Sequence, residues 1–375
     1  MSNARVLNAD CLTALRTMPD ASVDAIVTDP PYGLSNTTPA QVADTITRWV
    51  SGDREYLPSA RGFMGHEWDG FVPPVAVWDE CLRVLKPGGH LLAFAGSRTQ
   101  DLMGLAVRLA GFEIRDSIAW LHAQGFPKAK SQLKPAHEPI ILARKPPEGS
   151  IAANVLEHGT GALNVDACRI YATDDDRALM EARSHPNGTK AGSDGGGIAM
   201  QLDKPRGFKS HPAGRWPANV VLDESQAAEL DRQSGNVKTG ATKPHRRDPD
   251  SSPMFKVGKW MTHSQPASEG GASRFFKVIE HDAPFMYCAK APKSERPVVD
   301  GVAHSTVKPV TLMKWLVRMV TPPGGVVLDP FAGSGTTLEA AILEGFNAVG
   351  IEREADYLPL IRARLDRATD NGATS

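Results

Sequence analysis

Short apolar runs that stop at an acid recur along this chain. Val6-Leu7-Asn8-Ala9 stops at Asp10, Val23-Asp24-Ala25-Ile26-Val27-Thr28 at Asp29, Val326-Val327-Leu328 at Asp329, and Ala348-Val349-Gly350-Ile351 at Glu352. Apolar runs of this length, bounded by turn residues, predict buried strands of a parallel sheet. Helical spacing takes over between them, predicting helices over Cys11–Met18, Trp78–Leu85, Leu102–Leu109, Val310–Val320, Thr336–Leu343 and Ala355–Arg367. Further strands are predicted over His90–Ala95, Ile114–Leu121 and His137–Ala143, with Lys86-Pro87-Gly88-Gly89 as a helix stop and the tail from Ala368 frayed. Leu34–Pro74 shows no clear period and reads as an irregular loop, a lid or a plain insert. Alternating strands and helices make this an α/β chain.

The strand that ends at Asp329 runs into Pro330-Phe331-Ala332-Gly333-Ser334-Gly335. Glycines at Gly333 and Gly335 allow positive φ and close approach of a ligand to the backbone, and the following helix aims its free N–H groups at the same place. Glu352 lies twenty-three residues beyond Asp329, the offset at which a nucleotide-binding βαβ unit places an acid on ribose hydroxyls. The glycine spacing is not the dinucleotide pattern, so a nucleoside such as S-adenosylmethionine suits it better than NAD. An ordinary strand-turn-helix is the bland reading.

The other corner, Asp29-Pro30-Pro31-Tyr32-Gly33, carries the most specific signal. An aromatic amine is a poor nucleophile because its lone pair is delocalised into the ring. A carboxylate and a backbone carbonyl that each accept one N–H would free and aim that lone pair. Two prolines stiffen the turn and offer no competing donors, and Tyr32 presents a flat face for a base. A merely rigid turn is the alternative.

These motifs resemble the DNA amino methyltransferases, which alkylate the exocyclic amine of adenine or cytosine. The resemblance implies that Asp29, Pro30, Pro31 and Tyr32 hold the target amine. Phe331-Ala332-Gly333-Ser334-Gly335 would hold the methionine end of S-adenosylmethionine, beside Asp329, with Asp10 at its adenine and Glu352 at its ribose. His304-Ser305-Thr306-Val307-Lys308-Pro309 is similar to the family's lead into a helix closing over the cofactor. Lys308 would face the cofactor carboxylate or cap a turn. Catalytic motif first and cofactor motif last is similar to the beta class, a circularly permuted Rossmann-like methyltransferase sheet. The implied organisation is a catalytic half over 1–145, a target-recognition insert over 146–301 and a cofactor half over 302–375. Asp at the first motif position resembles adenine enzymes more often than cytosine ones. Cytosine N4, RNA or glutamine methylation and an inactive DNA-binding relic are the alternatives.

Composition changes between Pro146 and Gly301, where glycine, proline and charge rise; Gly192–Gly197 reads as flexible. Between Lys204 and Lys277 there are 13 Lys/Arg against 7 Asp/Glu, although the whole chain carries a net charge of -1, so any case for nucleic acid is local. Lys243, His245, Arg246 and Arg247 cluster there with Trp216, Phe255, Trp260, Phe275 and Phe276 interleaved, as the phosphate backbone and an unstacked strand of double-stranded DNA would select; a solvated insert with its own small core is the alternative. Cys11, Cys81, Cys168 and Cys288 form no CxxC pair, which argues against a zinc site or a disulfide framework, and none follows a proline as in carbon-methylating enzymes. His137-Glu138 lacks a second histidine four residues on, so no metal is expected. With neither an apolar leader nor a membrane-length run, the sequence reads as cytoplasmic.

Overall fold

The structure, a computed structural model, describes residues 3–60, 62, 69–122, 136–169, 216–223, 230–233, 277–279 and 291–372. The chain divides into two compact units, one of Met1–Cys168, Ala218–Gln226 and Val278–Ser375, the other of Arg169–Pro217 and Ala227–Lys277. In the second unit the Arg169 guanidinium sits 5.4 Å from the Trp216 ring centroid. Lys243, His245, Arg246, Arg247, Phe255, Trp260, Phe275, Phe276 and Gly192–Gly197 lie outside the described residues.

The first unit is built on a sheet. Its strands are β1 (Ala4–Asn8), β2 (Val23–Thr28), β3 (Leu85–Phe94), β4 (Glu113–Leu121), β5 (His137–Arg144), β6 (Val220–Asp223), β7 (Lys277–Ile279), β10 (Val326–Asp329) and β11 (Asn347–Glu352), with β8 (Val298–Val299) and β9 (Val302–Ala303) in a separate hairpin. The order across the sheet is β1-β11-β10-β2-β3-β5-β4-β6-β7. Pairing is parallel from β1 through β3 and between β4 and β6, while β5 runs antiparallel to both neighbours. This is the Rossmann-like, permuted sheet: β10, from late in the chain, pairs with β2, from its start.

Alternation along the strands serves two helical layers. Ala25, Val27, Leu92 and Phe94 face one core with Leu312, Leu316 and Val317 of helix Val310–Val320. Ile26, Leu91 and Ala93 face the other, with Val77, Trp78 and Cys81 of helix Val75–Val84 and Met103 of helix Gln100–Leu109. Each fully buried side chain of this size stabilises the fold by roughly 1.5–3 kcal/mol.

Several elements differ from the expectation. Helix Val75–Val84 ends just before Lys86-Pro87-Gly88-Gly89 as predicted, but those residues already lie within β3, where Val23 pairs with Leu85 and Ala25 with His90, so the extra residues bulge out. Leu34–Pro74 contains helix Pro39–Val50, started by a capping box between Thr38 and Gln41 with proline in its first turn. Residues 61 and 63–68 of that stretch lie outside the described residues. The last helix, Leu358–Gly372, follows a short turn at Ala355–Tyr357 and runs past Arg367 into the expected tail. Composition changes at Pro146, but the first unit extends to Cys168. Asn154 of helix Ile151–His158 explains this by donating to the Pro87 and Thr160 carbonyls at 3.0 and 2.7 Å, which holds that helix against β3.

Candidate active site

β10 and β2 are parallel neighbours, so the turns after Asp329 and Thr28 open at the same edge of the sheet. In open α/β sheets this edge is where ligands bind. The two corners are bonded directly: Thr28 Oγ1 donates to Asp329 Oδ1 at 2.6 Å, and Phe331 N–H donates to the same oxygen at 3.1 Å. Burial pushes the Asp329 carboxyl up to about 6, against the hydrogen bonds that favour its ionised form.

At the glycine corner, Gly333 takes φ +52° and its N–H donates to Glu352 Oε2 at 2.7 Å. Glu352 Oε1 accepts the Glu354 N–H at 2.8 Å, so the carboxylate is fixed while keeping lone pairs for a ligand. Burial raises its pKa. A Cβ on Gly333 would stand 3.1 Å from His304 Nε2, whose ring packs edge-on against Tyr357 at 4.6 Å. Burial lowers the His304 pKa, favouring the neutral ring. Gly335 has another reason to be glycine. It takes φ +83° as the residue before helix Thr336–Leu343, and a Cβ there would press on Ile361 of the last helix at 3.0 Å. It is absent from the cavity wall that Phe331, Gly333 and Ser334 line.

At the other corner, Asp69 Oδ1 accepts the N–H groups of Tyr32 and Gly33 at 2.9 and 3.1 Å, and Thr99 Oγ1 donates to the Tyr32 carbonyl at 2.6 Å. Gly33 takes φ +66°, and a Cβ there would meet Val72 N at 2.8 Å. These contacts fix Asp29-Pro30-Pro31-Tyr32. The Tyr32 hydroxyl donates to Glu138 Oε2 at 2.9 Å, and burial pushes its pKa well up.

Lys308 brings its ammonium against the Asp29 carboxylate. Nζ donates to Asp29 Oδ2 at 2.6 Å, lies 3.4 Å from Glu138 Oε2, and sits 4.9 and 5.2 Å from the Phe94 and Tyr32 ring centroids. Burial pulls its pKa down, but the charges of Asp29 and Glu138 outweigh this and hold it above the usual lysine value.

One cavity of about 1320 Å³ is lined by Asp10, Asp29, Pro30, Pro31, Tyr32, Lys308, Asp329, Phe331, Gly333, Ser334 and Glu352. Every candidate catalytic and cofactor residue except Gly335 is thus on one wall or another. Asp10 also caps the helix Cys11–Arg16, its Oδ1 accepting the Thr13 N–H at 3.1 Å. Trp120 is buried in the core, 6.4 Å from Phe94 in a T-shaped pair, and also lines the cavity. Glu138, Asp69, Thr28 and Thr99 receive no role at the site from the sequence, where Glu138 stands only as half of a His-Glu pair and Thr28 only as the end of a strand. Thr28 could have been found as the last residue of an apolar run beside Asp29; the others carry no local signal.

The N6/N4 methyltransferase family model, described as DNA methylase, matches residues 23–363. The chain is similar to the DNA adenine methyltransferase YhdJ of Escherichia coli (strain K12), 22% identical over 373 residues that cover 98% of this chain and 84% of that protein. A shorter match, 44% identical over 69 residues, relates 18% of this chain to 19% of the type II methyltransferase M.HinfI of Haemophilus influenzae. Among solved structures it is similar to the cytosine-N4-specific PvuII DNA methyltransferase, with 14% identity, a TM-score of 0.47, and coverage of 99% of this chain and 91% of that one.

Proposed function

The chain belongs to the DNA methylase family, and from that membership we propose that it transfers a methyl group from S-adenosylmethionine to the 6-amino group of adenine at specific sites in double-stranded DNA. The observation that carries this reading is the shared cavity, in which an amine-holding corner and a nucleoside-holding corner open onto one space. Its size exceeds the roughly 300–1,000 Å³ of a pocket for one small ligand, leaving room for a cofactor and an extruded base together.

The donor set fits the cofactor. Glu352 keeps lone pairs for ribose hydroxyls, Asp10 stands at the adenine end, and Gly333, having no side chain, leaves space beside Ser334 for the methionine portion. Bound there, S-adenosylmethionine supplies a methyl group on a cationic sulfur. Asp29 and the Pro30 carbonyl accept the two N–H groups of the target amine and turn its lone pair toward that methyl. The chain's contribution is positioning and electrostatics, with no covalent protein intermediate.

A base in duplex DNA must leave its stack to reach a sheet edge, which costs a few kcal/mol. Stacking on Tyr32 and phosphate contacts from the basic insert, including Lys243, Arg246 and Arg247, offset that cost. Adenine is favoured by the acid at the first motif position and by the likeness to an adenine methyltransferase along nearly the whole chain. Incubation with tritiated cofactor and unmethylated duplex DNA, followed by nucleoside mass spectrometry, is expected to yield N6-methyladenine. N4-methylcytosine would reassign the target base, and no labelled nucleoside would refute DNA methylation.

A further inference from the structure

Asp29 has two partners to serve. The target amine needs this carboxylate as an acceptor, but in the structure Lys308 Nζ already donates to Asp29 Oδ2 at 2.6 Å. The carboxylate keeps other lone pairs open as acceptors, but an ammonium held there opposes the reaction through its charge. It places positive charge beside the nitrogen that turns cationic as the N–CH3 bond forms and the S–CH3 electron pair stays on sulfur, before an N–H proton leaves to solvent.

Lys308 has little freedom to escape. Its side chain is only 9% exposed and sits between the Phe94 and Tyr32 rings. The other carboxylate within its reach among the described residues is Glu138, whose Oε2 is 3.4 Å from Nζ. Glu138 is itself held in place. It lies on β5 opposite Trp120 of β4, and the Tyr32 hydroxyl donates to the same Oε2 at 2.9 Å. A shift of about 0.6 Å would bring the ammonium from this distance to a normal charge-assisted hydrogen bond of about 2.8 Å and lengthen its bond to Asp29 Oδ2 to at most about 3.2 Å, weakening its hold there.

Resting on the reaction proposed above, we propose that Glu138 is a positioning residue that draws the Lys308 ammonium off Asp29 when the target amine arrives. The trio of two carboxylates and one ammonium then carries a single net negative charge beside the reacting nitrogen. With Glu138 neutralised, the same trio carries none, and the lysine has no second seat.

The test uses the full chain, tritiated S-adenosylmethionine and unmethylated duplex genomic DNA. Glu138→Gln keeps the side-chain shape and an acceptor for Tyr32, so its thermal midpoint should stay within a few degrees of wild type. Its kcat is expected to fall about 10²-fold while the cofactor Kd, read by calorimetry, changes less than about twofold. Lys308→Met removes the ammonium that must be moved and should keep kcat within about tenfold. In that background Glu138→Gln should change kcat by less than about threefold, because the pair is coupled. The inference is overturned by a Glu138→Gln enzyme with wild-type kcat, by an equal loss with and without Lys308, or by an inactive Lys308→Met. Wild-type protein that methylates no DNA overturns the proposed function and this inference together, whereas an active wild type with any of those variant results overturns this inference alone.

Discussion

Thr28 Oγ1 donates to Asp329 Oδ1 at 2.6 Å, although the two residues stand 301 positions apart in sequence. This bond joins the end of the strand that delivers the Asp29-Pro30-Pro31-Tyr32 turn to the end of the strand that delivers the glycine turn. It is buried at the cavity wall, where Asp329 is 2% exposed.

That burial makes a prediction about pH. The Asp329 carboxyl is pushed up to about 6 in the fold, whereas an unfolded aspartate titrates near 3.9. Between those values the folded state binds more protons than the unfolded one, so this group's contribution to stability falls as pH rises from about 4 to about 6 and is level above that. Asp329→Asn keeps an oxygen for Thr28 and Phe331 but cannot ionise. Urea midpoints at several pH values should show the wild type losing on the order of 2 kcal/mol relative to the variant across this window. Parallel curves would refute the assignment.

Asp29 is expected to act on chemistry and not on the cofactor. Asp29→Ala should reduce methyl transfer by at least about 10²-fold, with cofactor affinity by calorimetry nearly unchanged. Full turnover in this variant would remove the amine-holding role.

Tyr32 offers both a face and a hydroxyl, and two substitutions separate them. Tyr32→Phe keeps the ring and loses the hydroxyl with its bonds to Glu138 and Asp29, so kcat/KM on DNA should fall less than about tenfold. Tyr32→Ala removes the stacking surface, worth about 1–3 kcal/mol, and should lose about 10–10²-fold. Equal losses would mean that the hydroxyl, and not the face, is what the base uses.

Glu352 serves two backbone N–H groups with two oxygens. Glu352→Gln leaves one oxygen for both and turns an amide donor toward one of them. Cofactor Kd should rise about 10-fold or more, and calorimetry reads it directly.

Gly335 gives a contrasting result. Gly335→Ala places a Cβ at φ +83° and against Ile361, so the fold should lose about 2 kcal/mol. Because Gly335 is off the cavity wall, cofactor affinity measured well below the melting point should change little.

Much of the sheet was legible because a buried parallel strand leaves a continuous apolar run. Val23–Thr28 and the helix Thr336–Leu343 occur as the pattern predicts, and the acids that end the runs line one cavity. Helix Pro39–Val50 did carry a signal, Thr38 with Gln41 three residues on and proline between, but its buried face is narrow, with only Thr45 and Trp49 fully covered. Lys86–Gly89 reads only as a stop because proline and glycine are read locally, whereas the bulge that admits them to β3 is set by its neighbour β2. The role of Glu138 at the site was invisible for a topological reason. This side chain meets Tyr32 and Lys308 only because β5 is inserted antiparallel between β3 and β4, a placement that no short motif encodes.

The pairing of β10 with β2, and of β11 with β1, also dictates when the molecule can become itself. A ribosome that has released only the first 300 residues has made β1 and β2 but none of the strands that cover them on that side. Those bare backbone edges must wait through the synthesis of the whole insert, a delay that invites association with other nascent chains or with chaperones. Closure of the sheet therefore waits on β10 and β11, the last of its strands to be made.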